Sequence, residues 1–378
     1  ISKRNATKIA KNLMGAQNPR IHVGRLRTHE GINKAIELAE ITGSSVRTSA
    51  TSGPLSFPER HPLCGEGYNK DYDYVLGLES DGKNTSIQGP TLLSRADKRD
   101  LSDIGFGFIR KPVIPPRRDL SGENDLTADA EASIPIIIEE YKRILKADNI
   151  SDTAEKIRLD TSANIRKHEK DLKQTLNKKR KGWDSSPVSL GRLYAELWPL
   201  IKDLDWCLSS PTVFSSRHHV GMWEHNKPYS YLGMHGAGGI GYCIGASAGA
   251  GLAAKTRNRI VINIQCDGDL NYTPGSLWTA AHHNLPLLTI MHNNRGYHQE
   301  VMYLQYMAGV RGRGTDRMHI GTTLREPFID YAKLAEAYGM NNEGPIDNPN
   351  ELSAAYKRGI NSVLSGEPYL IDVITEPR

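Results

Sequence analysis

The chain has 378 residues, enough for two domains with separate cores, and its 38% apolar, 24% charged and 7% aromatic residues describe a folded globular protein rather than a disordered one. No run approaches the roughly 18 consecutive apolar residues of a membrane span, and Ile1 to Ala10 is basic and polar without an apolar signal core, so a cytoplasmic protein making no membrane contact is expected. The net charge of +5 raises nucleic acid as a partner, but much of the excess sits between Arg166 and Lys181, which includes Lys178-Lys179-Arg180-Lys181 and lacks interleaved aromatics; it reads as a solvated helical linker.

In chain order, Arg20 to Val23 reads as a strand and Glu30 to Thr42 as a helix, with Ile32, Ala35, Ile36 and Ala39 at helical spacing. A strand at Ser45 to Arg47, a Ser/Gly/Pro-rich loop through His61-Pro62 and a strand at Tyr74 to Leu78 come next. A helix from about Ile134 to Lys146 closes this part, with Ser133 as its expected cap and Pro135 in its first turn. Short strands alternating with helices imply a parallel sheet. After the charged stretch, a second α/β rhythm begins near Ser186-Pro187, with a helix at Leu190 to Ile201 and strands at Trp206 to Ser209, Arg259 to Gln265, Leu287 to His292 and Tyr369 to Thr375. The expected architecture is therefore α/β: two doubly wound parallel-sheet domains, 1–149 and 186–378, joined by a charged helical linker over 150–185. Cys64, Cys207, Cys243 and Cys266 form no CxxC pair and read as reduced thiols.

The informative stretch is the apolar run from Arg259 to Cys266, which ends in Asp267-Gly268-Asp269. Ligands of open α/β sheets bind at that carboxyl end. After a helix-like segment through Trp278 and His282, a second apolar run ends in Asn293-Asn294-Arg295-Gly296. Two neighbouring strand ends then present a carboxylate and an amide oxygen to one point, and these are hard donors of the kind magnesium takes together with phosphate oxygens. Asp267 as a plain turn residue and Asn293-Asn294 as a plain strand end is the bland alternative for either half alone; the pairing favours a metal site.

A second feature is Gly236-Ala-Gly238-Gly239-Ile240-Gly241, followed by the small-residue run from Gly245 to Ala254. Glycine lets backbone groups touch a ligand, and small residues let the next helix pack closely. Gly236, Gly238 and Gly241 satisfy GxGxxG, so a nicotinamide site is an alternative, but the acid wanted about 20 positions on is missing, since Leu252 to Gln265 contains no Asp or Glu.

At this point the residues resemble a known family. Cys266-Asp267-Gly268 through Asn293-Asn294 resembles the Gly-Asp-Gly to Asn-Asn motif of thiamine-diphosphate enzymes, and Pro228 through Ala246 resembles the cofactor loop and helix of acetolactate synthases. Phe57-Pro58-Glu59-Arg60-His61-Pro62 is similar to a loop of that family's central domain. The resemblance covers nearly the whole chain, as a central domain followed by a diphosphate-binding domain. It implies thiamine diphosphate and Mg2+ as cofactors, with Asp267, Asn294 and the carbonyl of Gly296 on the metal. Gly268 and Asp269 would lie along the diphosphate, and the backbone of Gly238 and Ile240 would meet the aminopyrimidine, Ile240 acting as an apolar wedge that bends the cofactor.

Two departures from the pattern stand out. Cys266 occupies the place of the first glycine, and Asp269 puts a carboxylate beside a diphosphate, so its side chain is expected to turn away or pair with a cation. The family's activating glutamate comes from a pyrimidine-binding domain that normally precedes the central one; the chain opens on Ile1, no segment of it resembles that domain, and this chain alone is expected to be inactive. No catalytic residue is assigned within it.

The expected reaction is carbon–carbon bond formation or cleavage on a 2-oxo acid, acetolactate synthase-like, with 2-oxo acid decarboxylase, 2-hydroxyacyl-CoA lyase and a non-catalytic scaffold homologue as alternatives. His218, His219, His298 and Gln299 are candidate pocket residues. The expected partners are an upstream pyrimidine-binding domain or subunit and further copies of the chain, as a dimer or tetramer.

Overall fold

The first helix, α1 (Lys3–Gly15), buries Ala6, Ile9, Ala10 and Leu13 along one stripe and leaves Lys3, Arg4, Lys8 and Lys11 outside, so a segment that reads as basic and polar is an amphipathic helix. A computed structural model describes it within residues 1–24, 26–48, 57–58, 60–64, 72–79, 91–93, 126–147, 169–170, 173–174, 176–209, 222–233 and 239–376. The chain divides into two units, residues 1–172 with 225–229, and residues 173–224 with 230–378.

In the first unit, α1 is followed by β1 (Pro19–Val23), α2 (His29–Thr42), β2 (Ser45–Thr48), β3 (Tyr74–Leu78), β4 (Thr91–Leu93), β5 (Leu126–Thr127) and α3 (Ala130–Ala147). The sheet is parallel, in the order β2-β1-β3-β4-β5. Thr28 caps α2 by accepting from the Gly31 N–H at 2.9 Å, and Gly43, at φ 62°, ends it. α3 starts four residues earlier than its apolar spacing suggests. Asp129 accepts from the Ala132 N–H at 3.1 Å, so Ser133 is not the cap and Pro135 falls inside the helix. In the expected central-domain loop, Phe57 is buried with its ring against His61, whose Nε2 lies 3.3 Å from Glu40; Glu59 lies outside the described residues.

The second unit runs α4 (Leu190–Ile201), β6 (Trp206–Leu208), α5 (Tyr242–Ala254), β7 (Ile260–Cys266), α6 (Asp267–Leu270), α7 (Gly275–His282), β8 (Leu287–Asn293), α8 (His298–Val310), α9 (Tyr331–Ala337), β9 (Asn341–Ile346), α10 (Leu352–Leu364) and β10 (Tyr369–Ile374). Its sheet is also parallel, in the order β6-β7-β8-β10-β9. Successive strand residues face opposite sides. Val261, Leu287, Met291 and Leu370 join the core with Ile244 and Ala248 of α5, Leu277 of α7 and Tyr331 and Ala335 of α9. Leu288 and Ile371 instead meet α10 at Gly359, and α10 ties to α4 through the Tyr356 hydroxyl, which donates to the Leu193 carbonyl at 3.0 Å. Helices thus cover both faces, the doubly wound arrangement that puts the strands' carboxyl ends along one open edge.

Candidate functional site

β7 and β8 are neighbours in register, Cys266 beside His292, so the segments leaving the two strands emerge at the same edge. Asp267 comes first after β7 and opens the single turn α6. Its carboxylate is 1% exposed; Oδ1 accepts from the Gly268 N–H at 2.8 Å and Oδ2 from the Gly296 N–H at 3.0 Å. Burial pushes its pKa up to about 7, although the N–H groups of Gly268, Gly296 and Arg295 pull the other way. A buried carboxylate whose hydrogen-bond partners are backbone amides is poorly compensated, and a cation beside it would relieve that cost.

The two asparagines after β8 divide the work. Asn293 is buried and donates from Nδ2 to Asp372 Oδ1 at 3.0 Å, which locks β8 to β10. Asn294 turns to the open edge: its Nδ2 lies 3.3 Å from His292 Nε2, and its Oδ1 is buried with no hydrogen-bond partner. Arg295, at φ 61°, turns the chain so that Gly296 meets the Asp267 carboxylate. A Cβ on Gly296 would stand 2.8 Å from the Thr322 carbonyl, so nothing larger fits there. Asp267 and Gly296 are therefore in contact, and Asn294 leaves the same strand edge with an unused oxygen. Among the described residues no three His, Cys, Asp or Glu side chains cluster, so a cation here would draw on one carboxylate plus amide and carbonyl oxygens, the donor set of a hard ion.

Asp269 does turn to donors of the protein. Oδ1 accepts from the Gly241 N–H at 2.7 Å and Oδ2 from Gln265 Nε2 at 2.7 Å, while Gln265 Oε1 accepts from Asn263 Nδ2 at 2.9 Å. The Cys243 thiol also faces Asp269, and burial together with that carboxylate raises it well above its ordinary range. Gly241, at φ 91°, could not take a side chain, because its Cβ would lie 2.7 Å from Tyr272 Cβ; its carbonyl accepts from Thr273 Oγ1 at 2.6 Å. The carboxylate that looked awkward beside a diphosphate thus anchors the glycine turn. Gly268 is packed under the Tyr297 ring, leaving no room for a Cβ, and its carbonyl accepts from the Tyr297 hydroxyl at 3.4 Å.

Ile240 is 47% exposed on this turn, and Gly238 lies outside the described residues, as do His218 and His219. His298 Nε2 lies 3.2 Å from the Asn294 carbonyl, and Gln299 is half-buried on the same first turn of α8. Four supporting residues escaped the sequence reading: Asn263, Gln265, His292 and Tyr331, whose hydroxyl donates to the Asp267 carbonyl at 3.2 Å. Polar side chains two apart in otherwise apolar strands, Asn263 with Gln265 and His292 with Asn294, were the available signal, since alternate residues share a face.

Comparison with known proteins bears out the resemblance. Residues 214–373 match the family "Thiamine pyrophosphate enzyme, C-terminal TPP binding domain". The "Probable acetolactate synthase large subunit" of Methanocaldococcus jannaschii is 27% identical over 200 residues, 52% of this chain and 32% of that protein. The benzoylformate decarboxylase of Pseudomonas aeruginosa is 31% identical over 153 residues, 40% of this chain and 26% of that protein. Among solved structures, the thiamine diphosphate-dependent 4-hydroxybenzoylformate decarboxylase of Rhodococcus jostii RHA1 superposes with a TM-score of 0.64 at 19% identity, over 100% of this chain and 65% of its own length. The chain thus spans about a third or less of these two relatives and about two thirds of the similar structure. Its fold is that of these enzymes, and most of its second unit lies within the residues that match the thiamine pyrophosphate-binding family.

Proposed function

We propose that this chain is the central and diphosphate-binding part of a thiamine-diphosphate-dependent enzyme that forms or cleaves a carbon–carbon bond of a 2-oxo acid, acetolactate synthase-like. The observation that carries the reading is the meeting of the buried Asp267 carboxylate with Gly296 beside the unpartnered Asn294 Oδ1. Bound thiamine diphosphate supplies a nucleophilic carbon and takes up the electrons released on decarboxylation. The chain's own residues hold and orient. Asp267, Asn294 Oδ1 and the Gly296 carbonyl take Mg2+, whose preference for hard oxygens suits them. Gly268 gives close backbone approach to the diphosphate, Asp269 fixes the glycine turn, and Gly238 and Ile240 meet the pyrimidine side, with the exposed Ile240 as an apolar wedge.

A partner surface is part of the same reading. α8 exposes Met302, Tyr303, Tyr306 and Val310, all at least half exposed, and α5 leaves Gly245 and Gly249 open on its outer side. Contiguous apolar side chains of this kind mark a covered face, and we assign the cover to a pyrimidine-binding domain and to a second copy in a dimer or tetramer. Four free cysteines fit a cytoplasmic setting, and among the described residues no helix is long and apolar enough to cross a membrane. Calorimetric titration with thiamine diphosphate, with and without Mg2+, tests the reading: binding that requires Mg2+ is expected, and binding that ignores the cation would sink the metal site. Product analysis with one 2-oxo acid then separates ligation from release of an aldehyde.

A further inference from the structure

Asn294 offers the cation an oxygen only if its amide stands one way round. An Asn side chain is nearly symmetric in shape, with an acceptor at one end and two donors at the other, so packing alone hardly distinguishes the two orientations. Turned over, it would present N–H groups to a cation. What lies at its other end therefore decides whether the site can work.

That neighbour is His292, two residues back near the end of β8 and 4% exposed. Its Nε2 lies 3.3 Å from Asn294 Nδ2, and its Nδ1 lies 2.6 Å from Thr375 Oγ1, itself 2% exposed just past β10. An amide NH2 only donates, so Nε2 must accept through its lone pair, and the ring proton then sits on Nδ1, where Thr375 Oγ1 accepts it. Thr375 is held in turn by its N–H, which donates to the Asn293 carbonyl at 2.9 Å. With the ring proton on Nδ1, the reverse orientation would set Asn294 Oδ1 against the Nε2 lone pair, acceptor against acceptor. The other tautomer, with Thr375 Oγ1 donating to Nδ1, would hold the amide the other way round, so the ring's tautomer decides the orientation.

We infer that Thr375 and His292 are positioning residues that lock the amide of Asn294 with Oδ1 toward the cation. The inference rests on the metal reading above. Groups of this kind, behind a ligand rather than on the metal, commonly change metal affinity 10- to 100-fold when removed.

The test uses the full chain with thiamine diphosphate present and Mn2+ as the probe, its binding read by electron paramagnetic resonance, without reference to turnover. His292→Leu keeps bulk but offers no acceptor, and is expected to weaken Mn2+ by roughly 10-fold or more. His292→Gln, whose Oε1 can accept from Asn294 Nδ2, is expected to recover most of that loss. Wild-type Mn2+ affinity in His292→Leu, or a glutamine variant as weak as the leucine variant, would overturn the inference. A wild-type chain that binds no Mn2+ with thiamine diphosphate would instead defeat the metal reading itself. Should His292→Leu fail to fold, long-range 15N–1H correlation spectra of the wild-type chain decide alone. A ring protonated on Nδ1 is expected, and one protonated on Nε2 overturns the assignment.

Discussion

Two buried carboxylates near the sheet's carboxyl edge behave differently because of what they face. Asp267 is the only charged side chain in the proposed ligand set, so Asp267→Ala should abolish Mg2+-dependent binding of thiamine diphosphate while leaving the fold of the cofactor-free chain intact by circular dichroism. Unaltered affinity in calorimetry would remove the metal assignment. Asp372 is fully buried; Oδ1 accepts from Asn293 Nδ2 at 3.0 Å and Oδ2 from the Tyr331 N–H at 3.4 Å, yet burial dominates and raises its pKa to about 6. With the folded value above the unfolded one, the folded state holds the proton more tightly. Stability from this group is then fully present below about pH 4 and is lost as pH rises through about 6. Carboxylates whose values are depressed by partners, such as Glu343 beside Arg358, act in the opposite sense, fading as pH falls. Comparison with Asp372→Asn isolates the one group. Between pH 4 and 7 the wild-type chain should lose on the order of 2–3 kcal/mol relative to the variant in urea unfolding, and parallel pH profiles would contradict this.

At the scale of elements, glycines in two helices of the second unit lie under opposite constraints. Gly359 of α10 sits against the sheet, where an added Cβ would meet Leu288 Cδ1 at 2.8 Å, Ile371 Cδ1 at 3.1 Å and Tyr369 Cδ1 at 3.2 Å. Gly249 of α5 has nothing within 4 Å of such a carbon. Gly359→Ala should therefore destabilise by about 1–3 kcal/mol through overpacking. Gly249→Ala should stabilise by about 0.5–1 kcal/mol, because alanine in a helix interior loses less conformational freedom. Chemical unfolding of the two variants checks the pair, and shifts of the same sign would contradict the packing described. The small-residue run from Gly245 to Ala254 thus has two faces: Gly251 packs inward against Leu285, where an added Cβ would lie 3.0 Å from Leu285 Cβ, and Gly245 and Gly249 look outward.

For the molecule as a whole, catalysis needs a carboxylate near the cofactor's pyrimidine ring, in the reading proposed above, and that group is assigned to a pyrimidine-binding domain. Residues 1–378 alone should bind thiamine diphosphate with Mg2+ yet turn over no 2-oxo acid. Activity should appear when a polypeptide carrying that domain is supplied, together with a rise in molar mass by light scattering. Full turnover by a monomer of these residues would refute the assignment.

The sequence by itself determined the fold class, because strand and helix periods write parallel α/β architecture directly into the order of apolar residues, and it marked Asp267 and Asn294 through a carboxylate and an amide pair closing two buried runs. It missed α1, whose charged residues mask a four-residue apolar stripe, and it misplaced the start of α3, where the capping of Asp129 and the burial of Ala130 and Ser133 outweigh the apolar spacing. Tertiary structure alone decided three things. It engaged Asp269 with the glycine turn, assigned Asn293 to Asp372 and left Asn294 for the site, and set His292 behind that amide. Each is a choice between hydrogen-bond partners distant in sequence: 28 residues from Asp269 to Gly241, 79 from Asn293 to Asp372, and 83 from His292 to Thr375. Local patterns record which face a residue takes, but a buried polar group's partner is fixed only when the strands and loops carrying the other donor or acceptor have been folded beside it.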